Sequence, residues 1–403
     1  MLKIIKHAAL AAVTFVLLNS QAGAADWPQF RGPDANGIAP DKGINKDWKT
    51  KPPKQLWSID LGDKGFAGPS IAKGKLFIID HAGAEDIVRA IDVTTGKDVW
   101  TFKYADTDKD NYGFSRSTPV YDNGKLYTIS RTGILHCLDA EKGAKIWSHD
   151  MRKEFQGQTG NWDYAWSPLV DGQKLIVQPG GPKGVVALDK DTGKEPWAGD
   201  GPDACGYATA VSATINGKKQ YVIFNGTAVL GIDADKGGAA LWRCLWKTAY
   251  GVNAATPIVI GDNVLVTSGY DTGCALISVT GADAKPAWIN KEIKAHFNTP
   301  VLYNGKIYGI GDGNGLVCLD PKTGAAAWKQ QGFEKGGLVA VDDVLIAING
   351  AEGDVVMAAA DPAAYKELGR FKPLGGRSWT APVIADGKLY VRNNVKLACF
   401  DLK

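Results

Sequence analysis

The sequence predicts an all-β fold, an eight-bladed β-propeller, and three observations carry that expectation. A tail pattern, A/C-x-D-x-x-T-G-x-x-x-W, recurs along the chain. Tryptophans recur with it, at Trp57, Trp100, Trp147, Trp197, Trp242, Trp288 and Trp328, with spacings of 40–50 residues. Between them run period-two stretches such as Lys125-Leu126-Tyr127-Thr128-Ile129, which is the alternation of strands. A repeat of this length marks a propeller or a solenoid. The 49 glycines among 403 residues favour many tight turns over long helices.

The elements follow in chain order. Residues 1–24 read as a secretory signal, with Lys3 and Lys6, an apolar run from Ala8 to Leu18, and the small-residue site Ala22-Gly23-Ala24. That run is too short to cross a bilayer, and no later apolar run reaches the length of a membrane span. No cysteine stands at the cleavage site, so a lipid anchor is not expected, and the mature chain is expected to be periplasmic or secreted. Loss of this segment removes two lysines and no acid, lowering the formal charge from +3 to +1. That is no footprint for nucleic acid or an anionic membrane. Residues 25–54 form an N-terminal arm, and 55–403 the propeller.

Repeats open with a head, (S/T)-P-x-x-x-x-G-K-(L/I)-(Y/F), which matches well from Pro69, Pro119, Pro300 and Pro382 and is shortened at Pro168 and Pro257, while blades four and seven lack the proline. Tails follow at Asp92, Asp139, Asp189, Asp233 and Asp320, with worn copies before Trp288 and near Asp361. The stretches Gly124–Trp147 and Gly305–Trp328 are two 24-residue versions of one unit. Each unit reads as four antiparallel strands. The aspartate accepts backbone N–H bonds in the turn, the glycine supplies positive φ, and the tryptophan bridges to the next blade. The eighth unit stops at Cys399-Phe400-Asp401 without its tryptophan strand, while Leu56-Trp57-Ser58 precedes the first head. Pairing of that N-terminal strand with the last blade closes the ring and removes the open sheet edges.

The tail resembles the tryptophan-docking motif of pyrroloquinoline-quinone (PQQ)-type β-propeller repeats, over essentially the whole mature chain. That family includes quinoprotein alcohol dehydrogenases, the propeller subunit of the outer-membrane β-barrel assembly machinery, and many exported bacterial proteins. Trp27-Pro28-Gln29-Phe30-Arg31-Gly32-Pro33 resembles the opening of the last group, found in planctomycete-like bacteria. For a dehydrogenase the resemblance implies a vicinal cysteine pair over PQQ, Ca²⁺ held by acidic and amide side chains, and a catalytic aspartate. No two cysteines are adjacent here, and there is no C-x-x-C-H haem site. No cofactor is therefore expected, with PQQ and Ca²⁺ as the alternative.

Candidate sites are sought where the chain enters each innermost strand, at one mouth of the ring. These segments hold Tyr112 and Arg116; Trp162, Asp163, Tyr164 and Trp166; Tyr207; Asn253; His296 and Asn298; Arg377 and Trp379; and Arg392. Aromatic groups with Arg, Asn and His suit a concave ligand site. The competing reading packs the same aromatics between blades. Asp163 is the one acid placed to serve as a base. Asp106, Asp108 and Asp110 occupy positions 1, 3 and 5 of an EF-hand-like loop, but Asn111 and Ser117 stand where glycine and glutamate belong. His81, His136, His149 and His296 show no metal-ligand spacing. Cys137, Cys318 and Cys399 fill one slot in three blades and read as small buried apolar residues, whereas Cys205 and Cys244 form the best candidate disulfide. The expectation is a monomeric, non-catalytic binding or scaffold protein of the cell envelope, taking a protein, glycan or small molecule. The alternatives are a PQQ-dependent alcohol or sugar dehydrogenase and an outer-membrane assembly scaffold.

Overall fold

The computed structural model describes residues 26–199 and 203–403; the secretory-signal reading of residues 1–24 lies outside them. Eight sheets follow one another around a ring, each with four antiparallel strands from an inner one to an outer one, consecutive in the chain in all but the last, and blade 7 carries a fifth, parallel strand. In blade 1 these are Ser70–Ala72, Lys75–Ala82, Glu85–Asp92 and Asp98–Ala105. Lys54–Asp60 supplies the outermost strand of blade 8, paired along its length with Lys396–Asp401. Closure by the N-terminal strand is thus observed.

Hydrophobic cores lie between blades, not within them. One cluster joins blades 1 and 2 through Phe77, Val88, Leu126 and Leu138. The largest joins blades 7, 8 and 1 and takes in Trp27, Ile44 and Trp48 of the arm. Hairpin turns between the first two strands and the D-x-x-T-G turns lie on one face of the ring, the lower one. The second-to-third-strand turns and the blade-to-blade connections lie on the upper face.

The repeated tail works as its chemistry requires. Asp92 Oδ1 accepts from the backbone N–H groups of Thr94 and Thr95 and from the Thr95 hydroxyl; Asp189 does the same with Asp191 and Thr192. These bonds favour the ionised form and hold both carboxyls below their usual range. The glycine after each turn has positive φ, 70° at Gly96 and 73° at Gly193. It also lies against the preceding blade's indole, where a Cβ at Gly96 would come within 2.9 Å of the Trp57 ring. The indole N–H of Trp57 donates to Val93 O at 2.9 Å, that of Trp100 to Ala140 O at 3.1 Å, and that of Trp328 to Asp361 O at 2.9 Å. The tryptophan of one blade thus docks on the turn of the next in these blades, whereas Trp242 of blade 4 donates to Gln220 of its own blade.

Blade 7 breaks the rule. Its outer strand, Glu367–Phe371, carries Gly369 opposite Met357, the register that holds tryptophan in the other blades. A Cβ at Gly369 would lie 2.6 Å from the Cβ of Trp48, which is 1% exposed and meets Phe371 edge-on at 5.4 Å. The arm thus delivers the eighth tryptophan from another part of the chain.

All six cysteines are buried free thiols. The candidate pair Cys205–Cys244 is not formed, because Cys205 belongs to the core of blades 2 and 3 and Cys244 to that of blades 4 and 5. Cys137, Cys318 and Cys399 are fully buried, each opposite its blade's tryptophan.

Candidate binding site at the propeller mouth

The central cavity holds about 420 Å³ and has three layers. Its floor is the arm. Trp27 bridges to Ile71 of blade 1, Pro28 O accepts from Tyr121 N of blade 2, and Ile38–Ala39 pairs in parallel with the inner strand of blade 7. Arg31 donates to Thr299 O and Pro300 O of blade 6 and to Ala35 O and Asn36 O of its own loop. Burial pushes this guanidinium down to about 9. The arm thus spans the lower opening and makes the cavity blind.

The waist is built from the serine or threonine at the head of blades 2 to 6, whereas blades 1, 7 and 8 have Gly68, Gly337 and Ala381 there. Thr118 N donates to Ser167 Oγ at 2.9 Å, Ser167 N to Thr209 Oγ1 at 3.0 Å, and Thr256 N to Thr299 Oγ1 at 2.9 Å. Successive inner strands are laced together by these hydroxyls, which explains the head's S/T-P requirement. Proline then starts a strand whose N–H is not needed.

The mouth is an aromatic collar. Phe66 stacks on Trp379 at 5.1 Å, and Trp379 meets Phe297 at 5.2 Å. The chain of contacts continues through His296, Tyr270, Tyr250 and Trp162 to Tyr207. Tyr112 and Tyr250 are each 66% exposed. Tyr112, Tyr250 and Tyr270 all hold positive φ, at 63°, 61° and 52°. Bulky side chains rarely adopt that conformation, and such strain gathers at functional sites.

The sequence-predicted residues divide by position. Tyr112, Arg116, Trp162, Tyr207, His296, Asn298 and Trp379 line the cavity. Tyr164 and Trp166 lie in the core between blades 2 and 3, as in the competing reading. Asn253 is buried, bonding Asn225 O, Trp246 O, Thr248 and Ser268. Arg392 is buried too, donating to the carbonyls of Ala67, Gly65, Asn393 and Asn394, and burial pushes it down to about 10. Arg377 is exposed beside the rim, its guanidinium 4.5 Å from the Trp379 ring centre. Arg116 spends its donors on the carbonyls of Trp162, Asn111 and Gly113. Asp163 does not line the cavity; Arg152 lies 2.6 Å and Arg131 3.7 Å from its carboxylate. Asp108 and Asp110 do not converge with Asp106, which meets His81 and Asp86 instead. The sequence reading passed over Phe66, Tyr250, Tyr270, Phe297 and Lys335. Tyr250 and Phe297 adjoin or interrupt the chosen segments, whereas Tyr270 lies in an upper turn that carries no repeat signature.

Among the described residues the cavity lining includes no aspartate, glutamate or cysteine. A Ca²⁺-supported quinone needs carboxylate ligands and a base, so this donor set does not fit one. Its charged members are Arg31, Arg116 and Lys335.

The family profile described as "Outer membrane protein assembly factor BamB" matches residues 84–330, more than half of the chain. The chain belongs to this family. Among named relatives, the BamB of Shewanella oneidensis is 23% identical over 373 residues, 84% of this chain and 86% of that protein. The quinohemoprotein alcohol dehydrogenase of Comamonas testosteroni is 29% identical over 154 residues, 35% of this chain but 21% of that enzyme. Among solved structures, BamB from Moraxella catarrhalis superposes with a TM-score of 0.64 at 17% identity, covering 87% of this chain and 99% of that one. The Comamonas enzyme gives 0.65 at 16% identity, covering 94% and 80%. BamB-type and quinoprotein relatives thus share the ring, and no described helix here is long and apolar enough to cross a membrane.

Proposed function

We propose that this chain is an exported, non-catalytic binding propeller of the cell envelope, and that its upper mouth takes a ring-bearing, negatively charged ligand. One observation carries the reading: a blind cavity collared by aromatic faces, with no carboxylate in its lining and Lys335 and Arg377 at its rim. Aromatic faces bind planar or ring-shaped groups, and cations on the rim select negative charge. The BamB relatives, named as assembly factors, support a binding role over a catalytic one.

The anionic dye 8-anilinonaphthalene-1-sulfonate serves as probe. It should bind the protein at 1:1, and Trp379→Ala should weaken it about tenfold at unchanged melting temperature, the loss of roughly 1.4 kcal/mol. Equal dye affinity in wild type and Trp379→Ala would sink the collar as the site. The quinoprotein relatives motivate a second reading, tested in parallel. With PQQ and Ca²⁺ the protein is expected not to reduce a dye acceptor with primary alcohols or aldoses. Robust turnover that depends on added PQQ would replace the binding reading with the enzyme.

A further inference from the structure

A second polar cluster lies away from the cavity, under the upper face between blades 1 and 2. His81 and Asp86 face each other across the hairpin of blade 1, and Asp106 follows its outermost strand. One ligand atom from each lies within 4.8 Å of the others, and the three residues are 1%, 0% and 3% exposed. Spacing along the sequence hides this set because the hairpin register creates it.

Three details distinguish the cluster from a satisfied ion network. Asp86 Oδ2 accepts from the Tyr104 hydroxyl at 3.1 Å, but its Oδ1 is buried without a hydrogen-bond partner. Such an orphan is costly. Second, His81 Nδ1 lies 2.9 Å from the Asp63 carboxylate. With the Nδ1–H donated to that carboxylate, Nε2 is the nitrogen turned toward the cluster, 3.4 Å from the Asp106 carbonyl oxygen, as in a carboxylate–histidine–metal arrangement. Third, Arg131 meets Asp106 at 3.2 and 3.4 Å and Asp108 N–H donates to its Oδ1 at 3.2 Å, all at or beyond the long end of the hydrogen-bond range, which leaves carboxylate lone pairs for a further ligand. With neutral His81, the three carboxylates of Asp63, Asp86 and Asp106 against Arg131 leave a formal charge of −2, and a divalent cation cancels it. The remaining neighbours are uncharged or aromatic: Phe114 stacks on His81 at 3.6 Å, and the His136 ring, held neutral by burial, lies 4.6 Å from Tyr104.

We propose that His81 Nε2, Asp86 Oδ1 and an Asp106 carboxylate oxygen bind one divalent cation of the zinc class. One imidazole nitrogen with two carboxylate oxygens suits zinc, cobalt or manganese better than calcium or magnesium, whose sites are built from oxygen. The ion's role is structural. Asp106 opens the connection that carries Tyr112 and Arg116 to the mouth, so the metal ties the root of that loop to blade 1.

Co²⁺ is the probe, titrated into tag-free protein previously stripped with EDTA. One equivalent should bind with visible ligand-field bands and raise the melting temperature. Asp86→Asn and His81→Gln should each weaken binding at least about tenfold, as expected for lost ligands. Absence of saturable binding below about 1 mM, where little over 4 kcal/mol of binding energy remains, overturns the site, as does wild-type affinity retained in both variants. Should either variant fail to fold, X-ray absorption at the cobalt edge of the wild type decides. A shell with one imidazole among oxygens supports the site, and a shell of oxygens alone overturns it.

Discussion

Burial separates tryptophans that sequence alone treats as equals. Trp57 is 8% exposed, whereas Trp147 and Trp328 are only half-buried on the outer rim. Trp57→Ala should therefore cost about 3–5 kcal/mol, the range for truncating a buried large aromatic. Trp147→Ala should cost clearly less, though more than Trp162→Ala, whose side chain belongs to the collar and docks on no turn. Urea unfolding of the three variants checks the ranking, and equal losses would refute it. The docking role was legible in the sequence because aspartate, glycine and tryptophan recur at constant spacing and each has a local task. The buried roles of Tyr164, Trp166 and Asn253 were not, since a segment entering an inner strand alternates its side chains between cavity and core with no outward sign.

At the level of the element, the arm is a working part of the ring rather than a leader to it. It floors the cavity, adds a parallel strand to blade 7 and supplies Trp48 where that blade has Gly369. Trp48→Ala should destabilise the protein by about 3–5 kcal/mol, like a core residue. Trp48→Phe should cost much less, because it keeps most of the ring and removes an indole N–H that is buried without a partner. Differential scanning calorimetry of the pair tests this, and similar melting points for both variants would argue against Trp48 as the missing wedge. The arm's course was not legible in advance. Its residues follow no period, and the vacancy they fill is defined only by an absent tryptophan more than 300 positions away.

Over the whole molecule, eight blades and their closure were legible because a propeller writes its architecture as a period. The blind cavity was not, since a ring alone would leave an open channel. Closure sets the last expectation. Removing residues 55–61 leaves the strand Lys396–Asp401 without its outer neighbour, exposing a pairing edge and cutting into the core shared by blades 7, 8 and 1. The truncated protein should lose its single cooperative melt and self-associate, read by calorimetry and by light scattering. A monomer that melted as the wild type does would show that the seam carries no strain of closure.

The seam also has a direction in time. A ribosome makes Lys54–Asp60 early, yet the strand it must pair with, Lys396–Asp401, is some 340 positions downstream. At about 5–20 residues per second that is a wait of roughly 17–70 seconds. During that interval the first strand has no partner, and Trp48 has no Gly369 to cover. The blades between are free to stack on one another, as repeat units do. Cooperativity of the finished ring is therefore acquired at the end of synthesis, and a chain interrupted before its last blade is left as an open stack with two sticky ends.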